Sequence, residues 1–150
     1  MLIRKARSNE APTIQAFQLA MALETENLQL HEATVGLGVK AIFDDPTKGN
    51  YYVAEVDGQL VSSLLTTFEW SDWRNGTVLW VQSVYVRPEF RQRGIYSAMY
   101  KYVQQQVLAN EQLKGIRLYA EKTNRTAQLV YEKTGMNAEH YTLYEWLKFD

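Results

Sequence analysis

Three arginines lie close together in the stretch Val84–Ser97, which reads VYVRPEFRQRGIYS. An apolar, β-branched run ends there at Pro88, a glycine follows at Gly94, and an amphipathic helical pattern begins directly after it. This order predicts a strand, a basic turn and the N-terminus of a helix. The free amides of a first helical turn and the helix dipole both favour negative charge. The stretch therefore predicts an anion site.

The turn Arg91–Tyr96 would suit a diphosphate in particular. It has one glycine and no Lys-Ser/Thr pair, so it is neither a Walker A loop nor a dinucleotide fingerprint. Gly94 would let a ligand approach the backbone closely, and the amides of Gln92–Ser97 could donate hydrogen bonds. An ordinary strand-to-helix turn with solvated arginines explains this spacing equally well.

Composition sets limits on the partners of the chain. The 150 residues are 46% hydrophobic and 22% charged, with a net charge of −1, which is typical of one globular domain over residues 1–150. Because there is no overall basic character, we expect neither a nucleic acid nor an anionic membrane as a partner. Arg87, Arg91 and Arg93, set against the single acid Glu89, are the local exception.

The chain has no cysteine, which excludes disulfides, thiolate metal ligands and a cysteine-linked covalent intermediate. His31 and His140 lie far apart in sequence without ligand-like spacing, so we expect no metal site. The first residues, MLIRKARSNE, lack an apolar signal region, and no apolar run approaches the length of a membrane span. We therefore expect a soluble, cytoplasmic protein.

These residues require a scaffold, and the apolar and turn patterns predict one α+β domain with a mixed, mostly antiparallel sheet flanked by helices. The predicted order is β-α-α-β-β-β-α-β-α-β. The predicted strands are Leu2–Ala6, Tyr51–Val56, Leu60–Phe68, Thr77–Val86, Gly115–Ala120 and Tyr141–Phe149. The predicted helices run from Ser8 or Asn9 through about Glu24, over Glu32–Phe43, onward from Gly94, and from Asn124 to a stop at Gly135.

Two stretches resemble conserved motifs of the GNAT superfamily, the acyl-CoA-dependent N-acyltransferases. WVQSVYVRPEFRQRGIYSAMYKYV resembles motif A, in which R/Q-x-x-G-x-G/A opens a helix, and RLYAEKTNRTAQLVYEKTGM resembles motif B. The two occur in the family's order between Trp80 and Met136, and the preceding elements agree with the family's order. One position departs from the pattern, because Tyr96 replaces the second small residue of motif A. Its side chain would narrow the pyrophosphate groove or stack on the cofactor.

The resemblance implies that acetyl-CoA is the co-substrate. The backbone of β-strand residues Val84, Tyr85 and Val86 would pair with the pantetheine arm. The pyrophosphate would bind to Gln92, Arg93, Gly94, Ile95, Tyr96 and Ser97, with Arg91 and Arg93 adding charge. Asn124 matches an asparagine that contacts the pantetheine arm, and it would serve equally well as a helix N-cap. Tyr131 matches the tyrosine that protonates the leaving thiolate, although periodicity alone favours a core aromatic.

Direct transfer to an amine requires a group that takes up a proton. Glu69 is the first candidate, at the end of a strand and beside Trp70 and Trp73, whose rings would desolvate its carboxylate. Asp72 is the second candidate. Both acids could equally be solvated, or paired with Arg74 in a turn. Trp70, Trp73 and Trp80 could line an amine pocket, or serve in packing or in a dimer contact.

Together, the resemblance and these residues predict an N-acetyltransferase that acts on a primary amine of a small molecule or peptide. Two other classes stay open: a GNAT-fold module that binds acyl-CoA without turnover, and a nucleotide- or phosphate-binding protein of another family. Glu24, Glu26 and Glu145 are further candidates for acids of the substrate site, although the sequence places none of them in a cleft. Its aromatic residues are compatible with a homodimer.

Overall fold

The computed structural model describes residues 1–148, which form five strands and four helices in the order βααβββαβα. The α+β class predicted from the sequence is confirmed. The strands are β1 (Leu2–Lys5), β2 (Asn50–Val56), β3 (Gln59–Ser71), β4 (Gly76–Val86) and β5 (Leu113–Arg117). The helices are α1 (Ala11–Glu26), α2 (Glu32–Asp44), α3 (Ile95–Ala109) and α4 (Arg125–Lys133).

The five strands form one sheet in sequence order, β1-β2-β3-β4-β5. The first three pairings are antiparallel and β4 pairs with β5 in parallel, so the sheet is mixed and mostly antiparallel, as predicted. Asp57 and Gly58 have φ values of 49° and 76°, the left-handed backbone that a tight hairpin needs. The parallel pairing of β4 with β5 instead requires a crossover, which α3 provides.

Two apolar clusters cover the two faces of the sheet. Val53 and Ala54 are neighbours on β2 and belong to different clusters, because successive side chains of a strand point to opposite faces. On one face, α3 contributes Ile95, Met99 and Val103. On the other face, α1 and α2 contribute Ile14, Val39 and their apolar neighbours. The amphipathic pattern predicted for α3 is thus used to cover one face.

Contacts divide the chain after Leu118 into two compact units. The first unit holds the whole sheet with α1, α2 and α3, and the second begins at Tyr119 and holds α4. That residues 1–150 act as one domain stays a prediction.

The predicted closing strand Tyr141–Phe149 is wrong for the residues that the structure describes. Residues 141–148 have no strand conformation, and Phe149 lies outside the described residues. Tyr144 and Trp146 are 91% and 87% exposed. The described part of the second unit contains α4 and no strand, so the alternating sequence has no partner strand within its own unit. Apolar alternation by itself therefore did not suffice to form a strand here.

Candidate functional site

A β-bulge divides β4 into two halves. Tyr85 lies opposite Ser63 and Gln82 opposite Leu65, so three steps along β4 match two steps along β3. Ser83 has a φ of 53°, the left-handed conformation that accommodates an extra residue. The buried hydroxyl of Ser62 donates a hydrogen bond of 2.7 Å to the carbonyl of Tyr85, next to the irregularity. The bulge is therefore built into the packed interior.

The bulge changes which β4 side chains face which helix. Before it, Leu79 and Val81 pack on the α3 side. After it, Val84 and Val86 pack on that side. Tyr85 points to the opposite face, where its ring centroid lies 5.1 Å from that of Phe17 on α1. A single extra residue thus brings Tyr85 beneath α1.

The second half of β4 has an edge that no described strand covers, although the carbonyl of Val86 there accepts a hydrogen bond from Arg91 Nε; we call it the open edge. Among the described strand pairings, the last pair between β4 and β5 is Trp80 with Arg117. The amide of Arg87 donates to the carbonyl of Val61 on β3 at 2.8 Å, so the backbone groups of Val86 point away from β3 by alternation. A ligand with amide groups could add along this edge as a further strand.

The edge leads to the N-terminus of α3. Gln92 and Gly94 have φ values of 61° and 74°, and the first hydrogen bond within the helix runs from the amide of Ala98 to the carbonyl of Gly94. The amides of residues 95–97 precede that bond and lie at the positive end of the helix dipole. A Cβ at Gly94 would meet no atom within 4 Å, so its positive φ and not a lack of space calls for glycine. We call residues 92–97 the cradle.

Tyr96 is the position that departs from the family pattern. Its side chain is half-buried and its hydroxyl oxygen is buried. The ring therefore packs into the protein, and its terminal hydroxyl is directed away from solvent.

Two of the three arginines of the turn have partners close by in sequence. Arg87 forms an ion pair of 2.9 Å with Glu89. The guanidinium of Arg93 lies 5.2 Å from the ring centroid of Phe90, a cation–π contact. Both contacts are local and lie within residues 87–93.

Arg91 reaches across to α1. Its Nη2 pairs with Glu24 Oε2 at 2.6 Å, its Nε donates to the carbonyl of Val86 at 2.9 Å, and its guanidinium lies 5.5 Å from the ring centroid of Tyr85. The Tyr85 hydroxyl donates to the other oxygen of Glu24 at 3.3 Å. Burial, and then the charge of Glu24, raise the pKa of Tyr85, so this hydroxyl keeps its proton. We call Glu24, Tyr85 and Arg91 the helix–loop cluster.

Glu69 lies within β3 and not at its end, because pairing with β4 continues to Ser71 and Gly76. Its Oε1 accepts a hydrogen bond of 3.1 Å from Trp80 Nε1, and its Oε2 pairs with Arg117 Nη1. Trp80 pairs with Thr67 on β3 and with Arg117 on β5, and Glu69 lies two residues after Thr67 on the same face of β3. The side chains of Glu69, Trp80 and Arg117 therefore share one face of the sheet. We call Glu69, Trp80 and Arg117 the sheet cluster.

The two tryptophans expected beside Glu69 lie elsewhere. Trp70 follows Glu69 on the strand and therefore points to the other face, and it is 63% exposed. Trp73 lies in the hairpin turn and is 89% exposed. Asp72 accepts a hydrogen bond of 3.0 Å from the amide of Trp73 and so shapes that turn. The expectation that these two rings desolvate Glu69 was wrong, and Trp80 is its aromatic neighbour.

The second unit carries the residues of the second motif. Asn124 Oδ1 accepts a hydrogen bond of 3.1 Å from the amide of Ala127, so it is the N-cap of α4. Gly135 follows the helix with a φ of 88°. Tyr131 lies on α4 and is half-buried. Within this unit the predicted capped helix is confirmed, and the roles of Asn124 and Tyr131 toward a cofactor stay predictions.

Two features are absent from residues 1–148 of the structure. Over this part of the chain, His, Asp and Glu form no group of three or more that could hold a metal ion. No helix in the same range is long and apolar enough to cross a membrane.

Sequence reasoning missed the partners of both carboxylates. Glu24 follows Phe17 by seven residues and therefore shares its face of α1, a spacing that hints at a position over the sheet. Arg117 was not singled out, although it lies on the strand predicted to follow α3. No local signal connects either acid to its arginine, since each pair forms across the fold.

A bulged strand with an open edge, followed by a helix N-terminus, could accept an extended ligand that ends in an anionic group. The sequence model of the Acetyltransferase (GNAT) family matches residues 14–136 of the chain. The match covers more than half of the chain and includes the bulge, the cradle and α4. The chain belongs to this family.

Solved structures agree with that assignment. The chain is 40% identical to "a possible acetyltransferase" from Clostridium difficile 630, with a TM-score of 0.92 over 99% of this chain and 98% of the other. A ribosomal-protein-alanine N-acetyltransferase from Brucella melitensis biovar Abortus 2308 shares the fold at 15% identity, with a TM-score of 0.79 over 98% and 99% of the two chains.

An aminoglycoside acetyltransferase from an uncultured soil metagenomic sample, solved with sisomicin, also shares the fold. It is 15% identical, with a TM-score of 0.78 over 99% of this chain and 96% of the other. No match to the chain was found among curated proteins.

Proposed function

We propose that the protein transfers the acetyl group of acetyl-CoA to a primary amine of a small molecule or peptide. One observation carries the proposal: the open half of β4 leads directly to the cradle. The amides of a pantetheine arm would pair with the backbone of Val84–Val86, and the pyrophosphate would accept hydrogen bonds from the cradle amides. Family membership and the relative that is 40% identical support the same reaction.

The transfer is direct, because the chain has no cysteine to form a thioester-linked intermediate. The amine nitrogen attacks the carbonyl carbon of the thioester while both substrates are bound. The carbon–sulfur bond then breaks, and the sulfur leaves with the bonding electron pair. In our proposal Tyr131 donates its phenolic proton to this thiolate.

The proton released by the amine needs an acceptor. We propose Glu69, with Asp72 as the second choice. Each carboxylate oxygen of Glu69 accepts one hydrogen bond, from Trp80 and from Arg117, and has a further lone pair that can take up the proton, directly or through water. Asp72 accepts one backbone hydrogen bond in an exposed turn.

The surroundings of the reaction are part of the proposal. We propose that the protein works in the cytoplasm, as a monomer or homodimer, without a metal ion. Acetyl-CoA enters as a substrate and leaves as CoA, so no resident cofactor is required.

Two measurements test the proposed function. Thermal-shift titration should show stabilisation by acetyl-CoA well beyond that by ADP, because only acetyl-CoA has the arm that pairs with β4. Release of the CoA thiol should then depend on an added amine in a panel of small amines, amino acids, polyamines, aminoglycosides and peptides. Equal stabilisation by both ligands would indicate a general phosphate site. Binding of acetyl-CoA without amine-dependent thiol release would indicate a module that only binds.

A further inference from the structure

The helix–loop cluster brings a carboxylate, a hydroxyl and an aromatic face to one place beside the open half of β4. Glu24 supplies the carboxylate and lies at the C-terminal end of α1. Tyr85 supplies the hydroxyl, 3.3 Å from Glu24, and the ring. The guanidinium of Arg91 occupies this place, paired with Glu24 at 2.6 Å and lying 5.5 Å from the centre of the ring.

These groups have the chemistry of a cation site. A carboxylate gives charge-assisted hydrogen bonds to N–H donors, and the face of an aromatic ring attracts a positive charge. Both features are positioned by the fold, since the bulge turns Tyr85 toward α1 and Phe17 packs against its ring at 5.1 Å. The guanidinium of Arg91 shows which kind of group this place accepts.

Arg91 also has a competing position. It directly precedes Gln92, the first residue of the cradle, so a pyrophosphate bound there would attract its guanidinium. The ion pair with Glu24 is accessible to water, with side chains 44% and 38% exposed, and exposed pairs are weak. A doubly charged pyrophosphate is therefore able to draw Arg91 away from Glu24.

We propose that Glu24 and Tyr85 bind a positively charged group of the acceptor, in the place held by the Arg91 guanidinium, once acetyl-CoA has drawn Arg91 to its pyrophosphate. The inference rests on the proposed acetyl transfer and defines its acceptor class. The amine that attacks must have a free lone pair and is neutral at that moment. The group on Glu24 is thus a second cation, and the acceptor is an amine that carries an additional positive charge.

The proposal couples the two substrates. Without CoA, a cationic acceptor must displace Arg91 from Glu24, whereas with CoA bound the carboxylate is available. Binding linkage is reciprocal, so CoA strengthens binding of the acceptor by the same factor by which the acceptor strengthens binding of CoA.

Isothermal titration of the 150-residue chain tests this with 1,5-diaminopentane and pentylamine, which differ only in the second cationic group. In the presence of free CoA, the diamine should bind about tenfold more tightly than pentylamine, as expected for a partly exposed charge-assisted contact. Glu24→Gln should remove this difference and tighten the binding of CoA about threefold, because Arg91 no longer has to leave a partner. Glu26→Gln is the matched control, since it removes an exposed carboxylate of the same helix and should change neither value.

Arg91→Gln provides a second, independent readout. It should weaken the binding of CoA and make binding of the diamine independent of CoA, which a purely structural role of the pair does not predict. Equal binding of the two amines to the wild-type CoA complex, or an unchanged preference in Glu24→Gln, would overturn the proposal. Turnover is read separately with acetyl-CoA. Glu24-dependent diamine binding without any acetyl product would support the cation site and contradict the proposed function.

Discussion

Glu24 and Glu69 each bind an aromatic hydrogen-bond donor and an arginine, but the two carboxylates lie in different parts of the fold. Glu69 binds an indole N–H and an arginine, and all three residues of the sheet cluster lie on strands. Glu24 binds a phenol and an arginine, but the helix–loop cluster joins a helix, a strand and a turn. The two ion pairs have similar side-chain exposures, 31% and 35% in the sheet and 44% and 38% at the turn.

The difference lies in what holds each arginine. The parallel pairing of β5 with β4 positions the backbone of Arg117 next to Trp80, so the sheet itself places this arginine within reach of Glu69. Arg91 directly follows a short 3-10 helix, Pro88–Phe90, and precedes the cradle. The same pair of charged groups is therefore part of the sheet in one place, and in our proposal it is exchangeable with a ligand in the other.

The largest effect is expected outside both clusters. Tyr131→Phe should lower kcat about 10²- to 10⁴-fold, because it removes the proposed proton donor to the thiolate. The dissociation constant of acetyl-CoA should stay within about twofold, since in this account the phenol acts on the transition state. Steady-state kinetics with a titration of acetyl-CoA binding checks both values. Wild-type turnover in this variant would show that Tyr131 is not the proton donor, and the donor would then be sought in the two clusters.

The sheet cluster is tested by Glu69→Gln. If Glu69 takes up the amine proton, kcat should fall about 10²-fold and the pH dependence of kcat/KM should shift or disappear. Asp72→Asn tests the second candidate, and it should leave the pH profile in place if Glu69 takes up the proton. If the pH profile of Glu69→Gln matches that of the wild type and only the melting temperature falls, Glu69 is structural. Asp72 or water then takes up the proton.

The helix–loop cluster depends on the cradle, and Gly94→Ala tests that dependence. A Cβ at a φ of 74° costs about 1 to 2 kcal/mol. If relaxation moves the cradle amides, CoA binding should weaken about tenfold. Gly58→Ala places the same strain in the β2–β3 turn, at a φ of 76°, and should leave CoA affinity unchanged. Equal loss of CoA affinity in both variants would mean that strain acts through global stability and not through the cradle.

The smallest effects are expected for Tyr85 and Trp80, the two aromatic side chains that donate hydrogen bonds to the carboxylates. Tyr85→Phe removes the hydrogen bond to Glu24, which contributes about 0.5 to 1.5 kcal/mol, and should weaken diamine binding about threefold. Since the pKa of Tyr85 is raised, the wild-type hydroxyl stays protonated and this contribution is present below pH 10. It is lost as the pH rises through the raised pKa.

Trp80→Phe removes the corresponding donor to Glu69 and should lower stability without changing diamine binding, as chemical denaturation and titration would show.

Much of the scaffold followed from local patterns. Asp57-Gly58 marked a hairpin, the apolar stripe after Gly94 marked α3, and Asn124 marked the start of α4. These features depend on neighbours in sequence, so a single sequence contains their full signal. The bulge at Ser83 did not follow, because it depends on how β4 meets a different strand.

Long-range pairs were equally out of reach. Glu24 and Arg91 are 67 residues apart, and Glu69 and Arg117 are 48 apart. The first pair forms only when the fold brings α1 to the turn before α3, and the second only when β3 and β5 lie on either side of β4. The predicted strand Tyr141–Phe149 shows the opposite error. Its alternation is a genuine local pattern, but a strand also needs a neighbouring strand to bond with.

The central claim is that the protein holds acetyl-CoA at the cradle and transfers its acetyl group to an amine. It is tested most directly by incubating the purified protein with acetyl-CoA and 1,5-diaminopentane and examining the amine by mass spectrometry. The account predicts a singly N-acetylated diamine, formed together with an equal amount of free CoA and strongly reduced in Tyr131→Phe. Acetyl-CoA that binds but is not consumed, with this diamine and with every other amine of the panel, would contradict it.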